Sequence, residues 1–437
     1  MQLTVEKLVY GGDGLARLPA DEQGRGKAVF VPFVLEGENV DADLVQQKPG
    51  FARANLRQVL KPSAHRVTPE CPYFMRCGGC HYQHASYEHQ LEIKASILIE
   101  SLRRVAKLEL GAALQIHASP PWNYRNRTRL RTQISPEFAL GYNRFGSHAL
   151  EPVERCPISS PLINQAIGTI WDLGRKGQID SHVREIEFFS NAQDTELLAE
   201  VYLDVVSQVA RDERLNLRAW SEEFRGAIPG CVGVSLFRAQ RPSESKTESQ
   251  PLAVAGSASI QHETKTAKYR VSAGSFFQTN RHLTETLVEL VTQGVSGTTA
   301  LDLYAGVGLF STVLSREFTN VIAVESSPNS CSDLAYNAPG NVKSVRSTVE
   351  QYLQKHGSKL RPDLVVVDPP RAGLRERVAG MVVQLLAPRV TYVSCDPATL
   401  ARDLVPFVAA GYRVEQAHLV DLFPQTFHLE SVLQLVR

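Results

Sequence analysis

The chain has 437 residues and a formal net charge of +1, from 47 lysines and arginines against 46 aspartates and glutamates. This length is too great for a single hydrophobic core, which excludes a one-domain protein and predicts two or three domains. The nearly neutral charge excludes a uniformly basic protein, so any affinity for nucleic acid must come from local basic patches. The sequence shows no long apolar run and no signal-peptide core, so we expect a cytoplasmic protein without a membrane segment.

Residues 1–62 are predicted to form a small β-barrel. Strand-like runs occur at 3–9, 28–34, 39–45 and 51–60, and a glycine-rich turn is expected at 11–14. Short strands at close, even spacing are typical of OB-like barrels, many of which bind nucleic acid. Composition alone leaves a generic barrel and an RNA-binding barrel equally open.

Four of the seven cysteines have the spacing of a metal site. Cys71, Cys77 and Cys80 lie in one turn-rich loop, and Cys156 is a distant fourth thiol. In a reducing compartment such thiols serve metals or catalysis more often than disulfides, and four thiolates suit either zinc or an iron–sulfur cluster. Three close thiols and one remote thiol favour a four-iron cluster, with zinc and unrelated buried cysteines as the alternatives.

Two basic segments precede residue 270. The segment 87–108 has apolar residues at helical spacing and is predicted to be an amphipathic surface helix whose charges are solvated. Arg125, Arg127, Arg129 and Arg131 alternate along a predicted strand, so they share one face. Four like charges on one face repel unless an anion lies among them, which favours an RNA phosphate track over an ordinary exposed strand.

The last third of the chain alternates strands with helices, which predicts a doubly wound parallel α/β sheet. Strands are expected at 299–303, 321–325, 364–367 and 390–393. Ligands of such sheets bind at the carboxyl ends of the strands, where each of these four strands has a chemically useful side chain. Those side chains are Asp302, Glu325, Asp368 and Cys395.

The turn after the first of these strands has the form of a cofactor site. Gly306 and Gly308 let a cofactor approach the backbone, and Glu325 can accept hydrogen bonds from ribose hydroxyls. One Gly-x-Gly is shared by dehydrogenases and methyltransferases. The form Asp302-x-x-x-Gly306-x-Gly308, without a third glycine, is typical of methyltransferases.

Cys395 lies where a strand ends and a helix begins. Asp396 is a predicted N-cap, and Pro397 suits the first helical position. The positive end of a helix dipole lowers the pKa of a thiol, so we predict that Cys395 is a nucleophile; a small buried residue is the alternative. Glu430 precedes the closing apolar strand, and the fold is expected to bring it to the same edge of the sheet.

Several longer motifs occur together along the chain. A TRAM-like pattern lies at 10–17, 29–33 and 37–38. The other motifs are Cys71-x5-Cys77-Gly78-Gly79-Cys80, Ser275-Phe276-Phe277-Gln278-Thr279-Asn280, Asp302-Leu303-Tyr304-Ala305-Gly306-Val307-Gly308, Asp368-Pro369-Pro370-Arg371-Ala372-Gly373, Ser394-Cys395-Asp396-Pro397-Ala398-Thr399-Leu400-Ala401-Arg402-Asp403 and Phe423-Pro424-x-Thr426-x-His428-x-Glu430. With them the chain resembles the RNA uracil-5 methyltransferases, and most of all the bacterial 23S ribosomal-RNA members that have a TRAM domain and a 4Fe-4S cluster.

The resemblance implies S-adenosylmethionine-dependent methylation of C5 of a specific uridine, in 23S rRNA rather than tRNA. It implies Cys395 as the nucleophile that adds to uracil C6 and Glu430 as the base that removes the C5 proton. The residues implied around S-adenosylmethionine are Gln278, Tyr304, Glu325 and Asp368. The ligands implied for a 4Fe-4S cluster are Cys71, Cys77, Cys80 and Cys156. RNA is the expected partner, with no obligate protein partner.

The expected domains are a TRAM-like RNA-binding barrel at 1–62, a mixed α+β central domain with the cluster at 63–270, and a class I methyltransferase domain at 271–437. A mobile polar loop is expected at 241–250. The alternatives are the same reaction on tRNA, a cytosine-5 methyltransferase and a catalytically silent RNA-binding protein. The cytosine-5 enzymes usually have a second motif cysteine that is not found here, and retention of Cys395 and Glu430 counts against a silent protein.

The chain also departs from the family pattern in the glycine turn and in the last motif. Ala305 and Leu309 stand where relatives often have cysteine and asparagine, which puts one polar cofactor contact in doubt. Gln425 stands where many relatives have histidine. Neither change touches Cys395 or Glu430.

Overall fold

The computed structural model describes residues 1–19, 26–110, 114–204, 211–239 and 250–437. These residues form a closed five-stranded barrel, a seven-stranded sheet, a two-stranded hairpin and an eight-stranded sheet. No helix in these ranges is long and apolar enough to cross a membrane. Apart from Gln250, the loop expected at 241–250 lies outside the described residues.

The N-terminal strands close into the predicted barrel, in the order β1-β2-β3-β5-β4. They are β1 (Gln2–Leu8), β2 (Asp13–Arg17), β3 (Ala28–Pro32), β4 (Asn39–Gln47) and β5 (Phe51–Lys61). The sequence did not predict β2, whose start was expected to be a turn. Gly14 explains why this strand fits, because an added Cβ there would lie 2.3 Å from Cγ2 of Val34 in the barrel core.

The segment after the cysteine loop packs on the C-terminal sheet. Helix α1 (Tyr87–Ser101) continues into a π-helical turn at Leu102–Ala106, and both pack against the helix that follows Cys395. Strand β6 (Gln115–His117) then pairs at the edge of the eight-stranded sheet. The C-terminal sheet is therefore completed by a part of the chain that precedes the central sheet.

The central sheet has the order β13-β12-β11-β10-β7-β8-β9. Two helices cover it and share its apolar core. The elements are β7 (Arg127–Gln133), β8 (Ala139–Asn143), β9 (Leu150–Pro152), α2 (Pro161–Arg175), β10 (Val183–Ser190), β11 (Leu197–Leu203), α3 (Arg211–Ala227), β12 (Cys231–Arg238) and β13 (Ala253–Gly256).

The C-terminal sheet is doubly wound, as predicted, with one apolar cluster on each face. A hairpin of β14 (Ser259–Glu263) and β15 (Lys268–Ser272) precedes it. Its elements are α4 (Thr284–Thr292), β16 (Gly297–Leu303), α5 (Ser311–Leu314), β17 (Phe318–Glu325), α6 (Pro328–Asn337), β18 (Val342–Arg346), α7 (Val349–His356), β19 (Leu364–Val367), α8 (Arg375–Gln384), β20 (Arg389–Ser394), α9 (Pro397–Ala409), β21 (Arg413–Val420) and β22 (Glu430–Val436). The strand order is β18-β17-β16-β19-β20-β22-β21-β6, and β22 runs antiparallel to both neighbours.

A separate apolar cluster, here called the barrel junction, joins the barrel to the C-terminal sheet. Its buried residues come from the barrel, the segment after the cysteine loop, α1 and the C-terminal sheet with its last loop. They are Leu8, Leu35, Tyr82, Ala85, Ile93, Ile97, Leu419 and Leu429. The barrel is therefore packed against the C-terminal sheet through a shared core.

Helix α1 buries a charge, so the prediction that its charges are solvated is wrong for Lys94. Its Nζ lies 2.6 Å from Oδ1 of Asp421 and 2.9 Å from the carbonyl oxygen of Phe423, and both side chains of the ion pair are fully buried. The Tyr87 hydroxyl donates to the other Asp421 oxygen. Burial lowers the pKa of Lys94, which the Asp421 carboxylate opposes.

We expect Lys94→Ala to lower the free energy of unfolding by about 3–5 kcal/mol, because it leaves the buried Asp421 without its cation. The measurement is thermal and urea unfolding. The control is Lys7→Ala, which breaks the ion pair between Lys7 and Glu100, whose side chains are 36% and 28% exposed. That exposed pair contributes at most about 1 kcal/mol. Equal losses in the two variants would contradict a structural role for the buried pair.

Candidate active site at the carboxyl edge of the C-terminal sheet

The structure places five predicted residues at one edge of the C-terminal sheet. Parallel pairing aligns the ends of β16, β17, β19 and β20. Strand β22 runs antiparallel to β20, with Ser431 opposite Ser394, so its first residue lies at the same edge. The five residues are Asp302, Glu325, Asp368, Cys395 and Glu430.

Cys395 lies in a short turn, residues 394–396, between β20 and α9. The predicted N-cap is confirmed, because Oδ1 of Asp396 accepts from the backbone N–H groups of Ala398 (3.0 Å) and Thr399 (2.8 Å). The Ser431 hydroxyl donates to the carbonyl oxygen of Ser394, which ties this turn to β22. The backbone on either side of Cys395 is therefore held by hydrogen bonds.

The prediction that the helix end lowers the pKa of Cys395 is wrong for the free protein. Burial, with the neighbouring acids Glu430 and Asp368, raises the pKa of this thiol to about 12. The helix N–H groups that would stabilise a thiolate are already taken by Asp396. In the free protein Cys395 is therefore a thiol.

The buried carboxyl groups around Cys395 also bind their protons tightly. Burial raises the pKa of Asp302 to about 6 and that of Asp368 to about 7. Burial, with the neighbouring Asp368, raises the pKa of Glu430 well above its ordinary value, and Arg371 opposes this rise. Since a nearby positive charge favours the ionised form of each acid, this edge suits a cationic ligand.

The residues expected around S-adenosylmethionine fall partly into one cavity of about 280 Å³. Tyr304 and Glu325 line it, and Tyr304 has a backbone φ of +65°, which few non-glycine residues adopt. The Glu325 carboxylate accepts from the backbone N–H of Gly306 at 2.9 Å. Oδ1 of Asp302 is buried without a hydrogen-bond partner among the described residues, so it can accept from a ligand.

These features fit S-adenosylmethionine, which has ribose hydroxyls, an ammonium group and a positive sulfur. Gln278 is buried in the segment between the hairpin and α4, but it is not among the described residues that line the cavity. The departures at Ala305 and Leu309 are buried in the apolar cluster on one face of the sheet. Neither side chain can make the polar contact of its counterpart in relatives.

The four predicted metal ligands, Cys71, Cys77, Cys80 and Cys156, line a second cavity of about 450 Å³. Burial, with the neighbouring thiols of Cys156 and Cys71, raises the pKa of Cys77 to about 11, so ionising these thiols together requires cations. No three described His, Cys, Asp or Glu side chains are close enough to hold a single metal ion. All four thiols line this one cavity, as ligands of a shared metal group must.

The cysteine loop also contacts the loop that leads to Glu430. The backbone N–H groups of His81 and Tyr82 both donate to the carbonyl oxygen of Gln425, each at 2.9 Å. The side chains of Gln90 and Gln425 are hydrogen-bonded at 3.0 Å. Sequence reasoning missed these contacts, which join segments more than 300 residues apart.

The arginine stripe is not a free phosphate track. Arg127 pairs with Glu187 and Glu200, and Arg129 pairs with Glu187 at 2.5 Å. Arg131 donates to Asn143 and to a backbone carbonyl. The anions that neutralise Arg127 and Arg129 are therefore carboxylates on neighbouring strands of the same sheet, which the local sequence pattern did not show.

Comparisons with known proteins agree with this geometry. A family model described as tRNA (Uracil-5-)-methyltransferase matches residues 86–437, and a TRAM domain model matches residues 1–56. An uncharacterized RNA methyltransferase of Aquifex aeolicus is 33% identical over 448 aligned residues, covering 100% of this chain and 98% of that protein. An uncharacterized RNA methyltransferase of Caldanaerobacter subterraneus is 30% identical over 457 aligned residues, covering 100% of this chain and 98% of that protein. The fold matches that of Pyrococcus abyssi tRNA (uracil-54, C5)-methyltransferase in complex with S-adenosyl-L-homocysteine, with a TM-score of 0.76, 22% identity and coverage of 100% of both chains.

We expect iodoacetamide to alkylate Cys395 slowly in the free protein, at a rate that still rises between about pH 7 and about pH 9.5, because only the thiolate reacts. The measurement is mass spectrometry of the peptide that contains Cys395. A cysteine in a model peptide, whose pKa is about 8.5, is the reference and should level off within this range. A plateau for Cys395 below about pH 8 would show that the turn stabilises a thiolate without any ligand.

Proposed function

The chain belongs to the tRNA (uracil-5-)-methyltransferase family, and on that premise we propose that this RNA methyltransferase modifies C5 of a uridine by way of Cys395 and Glu430. The family assignment confirms the resemblance found in the sequence. The observation that supports the proposed roles is the pairing of β20 with β22, which sets a half-buried thiol and a buried carboxyl group side by side. A thiol and a carboxyl group together are what uracil C5 chemistry requires.

The proposed reaction follows from the weak nucleophilicity of uracil C5. The Cys395 thiolate adds to C6, and the electron pair of the C5–C6 double bond moves onto C5 and O4 as an enolate. C5 then accepts a methyl group. Glu430 removes the C5 proton, and the resulting electron pair expels the thiolate and restores the double bond. The target uridine must leave its stack to reach both residues.

Burial favours the protonated forms of both groups in the free protein, whereas the reaction needs their ionised forms. S-adenosylmethionine supplies the methyl group and, when bound, a positive charge. A positive charge beside buried acids lowers their pKa values, so the ligand-bound protein favours the ionised forms of Cys395 and Glu430. Asp368, with a pKa raised to about 7, is already partly ionised near neutral pH.

We assign cofactor binding to Tyr304, Glu325, Asp368 and, from the resemblance alone, Gln278. The proposed domains remain residues 1–62, 63–270 and 271–437. The segment 87–117 of the second domain packs on the third. The TRAM match and the family support RNA as the substrate. We propose 23S rRNA, from the motif resemblance, and tRNA is the second candidate because the family description names it.

The barrel offers features suited to RNA. The rings of Phe30 and Phe51 lie 5.8 Å apart and are partly exposed. Arg53 lies 6.0 Å from the centroid of the first ring and Lys48 lies 5.6 Å from the centroid of the second. Aromatic faces beside cations suit stacked bases and phosphates, so we place an RNA contact here and not on the arginine stripe.

We also propose that Cys71, Cys77, Cys80 and Cys156 hold a 4Fe-4S cluster. Its role would be structural, because the loop that contains three of these cysteines is followed directly by His81 and Tyr82, which bind Gln425. A loop shaped by a cluster would hold the chain that leads to Glu430.

Cys395→Ala should abolish methylation and covalent capture of RNA, because Cys395 is the thiol that the pairing of β20 with β22 sets beside Glu430. Cys331, the other thiol near this edge, donates to the carbonyl oxygen of Glu325. Glu430→Gln should still permit thiolate addition and methyl transfer but should retain the C5 proton. It should therefore accumulate a methylated enzyme–RNA adduct that shifts on a denaturing gel. Normal product release by Glu430→Gln would exclude Glu430 as the base.

The RNA for this assay comes from a strain that lacks the gene, and mapping its missing 5-methyluridine distinguishes 23S rRNA from tRNA. RNA with 5-fluorouridine at the mapped site should trap the wild-type protein, because fluorine cannot leave as a cation. If the wild-type protein methylated no uridine, this result would contradict the proposed function.

Anaerobically purified protein should be brown and hold about four irons per chain. Cys80→Ser should lose most of this iron, whereas the control Cys231→Ser should keep it, because Cys231 is buried in the central sheet. The measurements are visible absorbance and metal analysis. Colourless protein with one zinc per chain would overturn the cluster.

A further inference from the structure

Tyr10, in the connection between β1 and β2 of the barrel, contacts the active site. Its hydroxyl donates a hydrogen bond to the carbonyl oxygen of Cys395 at 3.1 Å. Its ring meets the ring of Phe427 edge-on, with centroids 5.4 Å apart and an interplanar angle of 89°. Two segments separated by 385 residues therefore meet at the backbone of the proposed nucleophile.

Each carbonyl oxygen of the Cys395 turn has a hydrogen-bond donor. The Ser431 hydroxyl donates to Ser394 at 3.2 Å, and the Ser394 hydroxyl donates to Asp396 at 3.1 Å. The carbonyl of Cys395 itself is held by Tyr10. Two donors belong to the C-terminal sheet and its turn, and the third comes from the barrel.

The position of Tyr10 is fixed by its surroundings. Leu8, two residues earlier, is buried in the barrel junction. Gly12, two residues later, has a φ of +95°, and an added Cβ there would lie 3.1 Å from the Cβ of His81. Burial and the neighbouring Asp396 raise the pKa of Tyr10, so its hydroxyl remains a donor at working pH.

We propose that Tyr10 is a positioning residue for the uracil-5 reaction: its hydroxyl holds the Cys395 carbonyl and so fixes the direction in which the thiol sulfur faces uracil C6. The proposal rests on the proposed function for its substrate, but the contact itself does not. Without this donor the peptide plane after Cys395 keeps the hydrogen bond from the Asp396 N–H to the Ser394 hydroxyl, at 3.3 Å, and loses the one to its carbonyl oxygen. A less restrained peptide plane can rotate, and rotation there displaces the sulfur. The barrel is then part of the catalytic site as well as an RNA-binding module.

The test is Tyr10→Phe, which removes the hydroxyl and keeps the ring against Phe427. At saturating 5-fluorouridine RNA the rate of adduct formation should fall about tenfold, as should kcat for methylation. The KM for RNA, the affinity for S-adenosylmethionine and the thermal unfolding temperature should stay unchanged. The control is Tyr336→Phe. Tyr336 lies on α6, is 64% exposed, and its ring packs against Arg270 of β15.

A second readout does not depend on the reaction with RNA. In the free protein, Tyr10→Phe should increase the rate of Cys395 alkylation by iodoacetamide severalfold, because a turn that is less restrained exposes its thiol more often. If the wild-type protein forms no adduct with any RNA, the proposed function fails and this rate alone decides the role of Tyr10.

Three results would overturn the proposal. One is a wild-type adduct rate together with a wild-type alkylation rate in Tyr10→Phe. Another is weaker RNA binding with an unchanged adduct rate at saturation, which would make Tyr10 an RNA contact. The third is a lower unfolding temperature with equal losses of cofactor and RNA affinity, which would make it a residue of the barrel junction.

Discussion

Burial of acidic groups beside a thiol is the constraint on which the rest of this active site depends. Asp368 and Glu430 are buried next to Cys395, and Asp302 is buried beside Asp368. Each acid therefore holds its proton more tightly than it would in solvent. Such an edge is reactive only after something changes its charge. A cationic cofactor satisfies this condition, because its arrival stabilises the ionised forms of the groups that the reaction needs.

The N-terminal half of the chain restrains the backbone around this edge. Lys94 holds Asp421, the segment after the cysteine loop holds Gln425, and Tyr10 holds the carbonyl of Cys395. These contacts come from the barrel and from two segments of the expected central domain, the one after the cysteine loop and α1. In the folded protein they converge on two short segments of the last domain, the Cys395 turn and the loop before Glu430.

Local patterns in the sequence correctly predicted some strand bounds and helix starts, which depend on residues close together along the chain. The strand at 364–367 has its expected bounds, and the helix begins at Pro397 behind the expected cap. Apart from the missed strand β2, the errors concern long-range electrostatics. Arg127 and Arg129 of the arginine stripe are neutralised by Glu187, which is 60 residues from Arg127. The pKa of the Cys395 thiol is raised by burial and by acids on other strands. A helix pattern contained one unused signal, since Lys94 lies on the buried stripe of α1 with Ile93 and Ile97.

Two buried acids at this edge, Asp421 and Asp368, differ in whether the fold compensates their charge. Strand β21 is parallel to β20, so Asp421, which follows it, lies at the same edge as Asp368. Asp421 has a buried lysine at 2.6 Å and a tyrosine hydroxyl at 3.0 Å, so its charge is compensated within the fold. Asp368 has a pKa raised to about 7 by burial and by Asp302, with no cation among the influences that oppose it. A protein can lower this cost with a lysine, as it does for Asp421. A buried Asp368 without a cation lowers the free energy of unfolding. Its retention is explained if a ligand supplies the missing positive charge.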